Sequence, residues 1–158
     1  MNAPAHLQRL QFLVKIVQRE SAHLLATNER LFAVPLTPER LRQFDTDPVL
    51  AERVDAFVAR FGRLQDTLGD KLVPALLAAL REPVRAAIDN LDCAERMGWI
   101  ASADQWVEAR QLRNQMIYEY VDDPILLAGN LQAGHRFVPT LVETVRRLVD
   151  EIAHRGWT

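Results

Sequence analysis

Arg113 and Tyr120 are the two residues of this chain best placed to do chemistry together. At about 100° per residue along a helix, positions seven apart project within about 20° of each other, so the guanidinium and the phenol share a face. Arginine presents phosphate oxygens with a fixed fork of donors, and such a pair suits a phosphate-bearing ligand. Tyr118 lies about 140° from Arg113 on the same wheel. Spacing alone favours a structural use, with Arg113 packed on an aromatic ring or paired with Asp122 or Asp123.

The helix that must position them carries Trp106, Ala109, Leu112 and Met116 on its apolar side. It opens at Ser102-Ala103-Asp104-Gln105, a capping box in which the serine and the glutamine satisfy each other's orphan amides. Asp122-Asp123-Pro124 ends it and starts a final helix, with aspartate as N-cap and proline at the first position. That last helix buries Leu127, Leu131, Val138, Leu141, Val145, Leu148 and Ile152. Upstream, Leu7, Leu10, Val14, Val17 and Leu24 mark a first helix ending near Arg30, and the proline-rich stretch 31–48 is a connection holding one short helix capped by Thr37. A long apolar face follows: Leu50, Val54, Phe57, Phe61, Leu64, Leu68, Leu72 and Leu76. Gly62, Gly69 and Pro74 interrupt it, which predicts a kink near Lys71 to Pro74. A further helix is expected from Glu82-Pro83 through Val84, Ile88, Leu91 and Ala94 to Gly98. The periodicity is helical throughout, and the predicted fold is all-α, an up-and-down bundle of about five helices in one domain spanning 1–158.

Composition narrows the function classes. Hydrophobic residues make up 49% and charged residues 25% of 158 residues, values of an ordinary globular chain. A net charge of -2 argues against a whole-surface grip on nucleic acid and leaves room for a local basic cleft. Cys93 is the single cysteine, read as a small core hydrophobe with no internal disulfide partner. Nothing from Met1 to Leu10 has the pattern of a secretory leader, and no stretch approaches the roughly 18 apolar residues of a membrane span. A cytoplasmic protein without a membrane partner is expected.

The run Arg113-Asn114-Gln115-Met116-Ile117-Tyr118-Glu119-Tyr120 resembles the Arg-x4-His-x-Tyr signature of HEPN domains, specifically the HepT-like toxins encoded beside small nucleotidyltransferases. Phe61 to Leu72 with Pro74-Ala75-Leu76-Leu77 is similar to the second-helix segment of those proteins, and Ala103 to Trp106 and Asp122-Asp123-Pro124 also fit. The likeness runs over Phe57 to Pro124. It implies a homodimeric, metal-independent ribonuclease without a cofactor, in which the RNA 2′-hydroxyl attacks its own phosphate. Arg113 would then stabilise the phosphorane charge and Asn114 would hold the substrate, while Asp66, Asp70 and Glu119 would lie at the cleft.

Tyr118 occupies the position where the family carries its catalytic histidine. A phenol with a reference pKa near 10 is a poor base at neutral pH, and losing one proton-transfer group costs about 10² to 10⁴ in rate. Tyr120 matches the tyrosine on which a partner nucleotidyltransferase can place AMP. The resemblance thus leaves two readings, a toxin-type nuclease with a nearby-encoded nucleotidyltransferase antitoxin and a catalytically silent companion of such an enzyme. The third reading is a plain helical scaffold.

Other residues carry weaker signals. Asp66 and Asp70, flanked by Arg63 and Lys71, read mainly as a solvated, salt-bridged face. His6, His23, His135 and His154 show no metal-ligand spacing, and none is assigned a metal. Trp99, Trp106 and Trp157 could stack on bases, with Trp106 better read as core.

Overall fold

A computed structural model of the chain describes residues 3–118 and 123–157, the side chain of Tyr118 excepted. Glu119, Tyr120 and Asp122 lie outside the described residues. Among the described residues there is no strand, and the architecture is the expected all-α bundle.

Helix α1 (Ala5–Phe32) runs two residues past the expected stop at Arg30. After it comes the short α2 (Pro38–Leu41), where the Thr37 hydroxyl accepts the Arg40 amide at 3.2 Å and Pro38 occupies the first turn. Helix α3 (Pro48–Asp66) opens in the same way, with Asp47 accepting the Leu50 amide at 3.1 Å. It continues without a break into a π segment (Thr67–Leu72) and then α4 (Val73–Ala79), making one long rod. All eight residues expected on the rod's apolar face, Leu50 through Leu76, are buried.

The π segment has a cause in that same stripe. From Leu64 the apolar residues recur every four, at Leu68, Leu72 and Leu76. In an α-helix each step of four turns the stripe by about 40°. A stretch of wider helix takes up the excess, and the Val73 amide reaches the carbonyl of Leu68, five residues back. Pro74 follows directly, so the amide it lacks falls where the ladder has already been displaced.

Helix α5 (Ala87–Arg96) departs from expectation. Glu82-Pro83 does not open it; Asn90 instead holds the preceding segment extended by accepting the Arg85 amide at 2.8 Å and donating to the Arg85 carbonyl at 3.0 Å. Val84 and Ile88 are consequently exposed, at 51% and 62%, while Leu91 and Ala94 are buried as expected. The chain turns at Gly98, whose φ of 78° is the left-handed cap anticipated there.

Helix α6 (Ala103–Tyr118) shows the serine half of the capping box, Ser102 Oγ accepting the Gln105 amide at 3.1 Å. Glu95 of α5 reaches across to accept the Ala103 amide at 3.0 Å. Helix α7 (Pro124–His154) is capped by Asp123, which accepts the amides of Ile125 and Leu126 at 2.9 and 3.3 Å. It carries Pro139 in its interior, a residue the sequence reading passed over.

Helices α1 and α7 pack with the rod around a row of rings. His135 stacks on Phe32 at 4.1 Å between centroids, Phe32 meets Phe57 edge-on at 5.3 Å, and Phe61 and Phe137 carry the row on to Trp106. Among the described residues no helix is long and apolar enough to cross a membrane.

The glycines separate into those that carry packing and those that do not. A Cβ on Gly69 would stand 2.7 Å from Trp106 Nε1, whereas one on Gly129 would meet nothing within 4 Å. Because Trp106 is a buried ring that cannot swing aside, Gly69→Ala is expected to cost about 1–3 kcal/mol. Gly129→Ala lies within α7 and is expected to gain about 0.5–1 kcal/mol. Urea unfolding midpoints of the two variants check both signs.

Candidate functional site

The residues singled out on the motif helix meet the rod along an antiparallel seam. Gly62 lies against Arg113 and Gly69 against Trp106, so two glycines seven apart on the rod receive two residues seven apart on α6. A Cβ on Gly62 would stand 2.6 Å from Arg113 Nε. The Arg113 side chain, from Cγ to Nε, therefore runs across bare backbone. Between these points Gln65, fully buried, donates from Nε2 to the Trp106 carbonyl at 3.4 Å.

Asp66 and Asp70 are drawn into this seam. Arg113 Nη1 donates to Asp66 Oδ1, and Arg110 Nη2 donates to Asp70 Oδ1 at 2.6 Å. Both carboxylates are salt-bridged and partly exposed, as expected, with partners on α6 rather than the adjacent Arg63 and Lys71, and Arg113 does not turn to Asp123, which is engaged in capping α7. Arg113 keeps 27% of its side chain exposed and Asp66 34%, so the pair stands at the rim rather than in the core. The ion pair occupies Nη1, and Nε is buried without a partner. Asn114 is exposed beside it.

A residue that sequence reasoning missed completes the cluster. Glu20 of α1 accepts the Thr67 hydroxyl at 3.1 Å at the first turn of the π segment, and its second oxygen is buried without a partner. Burial pushes its carboxyl above the usual range, offset by the Thr67 hydrogen bond and by Arg63 and Lys71. A signal existed: Glu20 follows the first-helix stripe by three from Val17, where an apolar residue would keep the pattern.

The other candidates fall elsewhere. His135 is bonded through Nδ1 to Asn28 Oδ1 at 2.8 Å and stacked on Phe32, a structural use that keeps it with α1. Trp99 and Trp106 are buried, and Trp157 packs partly buried under Arg155. Cys93 is half-buried against the core. Among the described residues no group of three His, Cys, Asp or Glu side chains could hold a metal ion. Tyr118's side chain, Glu119 and Tyr120 fall outside the described residues, so their relation to Arg113 rests on the sequence.

Glu20 gives the site a pH signature. A carboxyl whose folded pKa lies above its ordinary 4.5 favours folding most when protonated, and that contribution is lost as pH rises through the folded value. Glu20→Gln, which keeps an acceptor for Thr67, is therefore expected to melt higher than the parent at pH 7. The difference should close below about pH 4, where the parent carboxyl is neutral in both states. Thermal melts across that range read the sign directly.

No family model, no curated protein and no solved structure matches the chain.

Proposed function

We propose that the chain is the HepT-like HEPN component of a toxin and antitoxin pair, acting as a homodimer with a nucleotidyltransferase. The observation that carries the reading is Arg113, the motif arginine, seated on Gly62 and held through Nη1 by Asp66 at a partly exposed rim. An arginine oriented in this way is ready for a phosphate oxygen, because its side-chain entropy is spent before the ligand arrives. The reading needs a second subunit to bring another Arg113 into the same cleft, since one helix diverges Arg113 from Tyr118 by about 140°.

The silent-companion reading is favoured by a separate observation. Among the described residues the side chain paired with Arg113 is a carboxylate, Asp66, and His135 is committed to Phe32 and Asn28 rather than to this pair. In that reading the protein offers Tyr120 to the transferase and cuts no RNA.

Two measurements distinguish the readings. Installing an imidazole at the acid/base position, Tyr118→His, is expected to raise ribonuclease activity on a panel of RNAs by about 10² or more if the cleft is otherwise competent. A folded, dimeric variant no more active than the parent favours the companion. Incubation with the neighbouring transferase and ATP is expected to add one nucleotidyl group at Tyr120, where the new phosphate adds negative charge near Arg113. Peptide mass analysis that finds the group on Tyr118, or none on Tyr120, contradicts the assignment.

A further inference from the structure

A second feature lies on the opposite side of the rod from Gly62. Helices α1 and α3 enclose an open groove of about 300 Å³ lined by Arg30, Arg53, Arg60, Thr27, Glu52 and Ala56 among others. Three guanidinium groups there face one carboxylate, although the chain as a whole has a net charge of -2. Arg53 and Arg60 are seven apart on α3 and so project within about 20° of each other. Arg60 is pinned, Nη1 donating to the His23 carbonyl at 3.1 Å and to the buried Thr27 hydroxyl. Among the described residues no carboxylate or carbonyl pairs with Arg30 or Arg53, so two of the three guanidinium charges that line this groove are left open.

We propose that this groove binds the phosphodiester backbone of a single-stranded nucleic acid. Arginine forks match phosphate oxygens, and a row of them along a groove tracks successive phosphates. No aromatic ring lines the groove, so there is no platform for bases to stack on and the contact reads backbone rather than sequence. The class of ligand, a nucleic acid, rests on the function proposed above; the groove's affinity for phosphate does not.

The test is fluorescence anisotropy of a labelled single-stranded RNA a dozen nucleotides long, titrated between about 50 and 200 mM salt. Arg30→Gln/Arg53→Gln removes two charges that hold nothing in the fold, so its melting temperature should match the parent's. Its slope of log affinity against log salt is expected to flatten by about 1.4, at roughly 0.7 per phosphate contact on a single strand. Glu52→Gln, which removes the only carboxylate of the lining, is expected to tighten binding. AMP at equal phosphate concentration should displace the strand poorly. A parent that binds no RNA, a slope unchanged in the double variant, or displacement by AMP as complete as by unlabelled strand overturns the groove. An unchanged slope with Tyr120 still accepting a nucleotidyl group sinks the groove alone. A flattened slope with no such transfer supports the groove and counts against the pairing with a transferase.

Discussion

The close approach of α6 to the rod depends on two missing side chains. At Gly62 and Gly69 the rod presents bare backbone, and the Arg113 guanidinium and the Trp106 indole occupy the space a Cβ would need. Two contacts a heptad apart set the register of α6 along the rod. Everything else at the site follows from that register: Asp66 comes within reach of Arg113, Asp70 of Arg110, and Gln65 of the Trp106 carbonyl. Trp106 in turn closes the aromatic row through Phe137, so the register of the polar rim and the packing of the core are one constraint.

The π segment adapts the rod to both demands. Its wider turn keeps Leu68, Leu72 and Leu76 on the buried stripe, and it places Thr67 against Glu20 while Asp70 faces Arg110. An uninterrupted α-helix would carry the apolar stripe out of the core over three steps of four residues. Insertions of this kind recur at functional sites because they re-aim side chains without ending a helix. The cost here appears as partial burial of Glu20, whose carboxyl is held above its normal range.

Much of this was legible in the sequence, and the exceptions have a common physical reason. Local signals read well: Thr37 and Asp123 cap the helices expected of them, the Ser102 hydroxyl does likewise, and the stripes of the rod and of α7 are buried as their spacing predicts. What local pattern cannot supply is the partner of a side chain on another helix. Asp66 and Arg113 are 47 residues apart, and Asp70 and Arg110 are 40, so the sequence shows a salt-bridged face at Asp66 and Asp70 but not which cations complete it. Gly62 and Gly69 read as interruptions because a glycine's worth as a contact surface depends on what lies opposite. Glu82-Pro83 has the signature of a helix start, yet Asn90 satisfies the Arg85 backbone first and delays α5 to Ala87. The π segment did have a readable trace, three successive steps of four in the leucines.

The seam constrains what Arg113 can do. A side chain packed on backbone and tied by one nitrogen cannot swing to find a ligand, so any phosphate it binds must come to it along the rim. That supports a site of fixed geometry, and it makes Asp66 a positioning residue whose loss would free Arg113 rather than remove it. The most direct test is a double-mutant cycle on Asp66→Asn and Arg113→Gln, read by urea unfolding. A pair this well placed at a partly buried rim should give a coupling of about 0.5–1 kcal/mol. Additive effects of the two substitutions would contradict the account, because Arg113 would then be held by packing alone and Asp66 would have no part in orienting it.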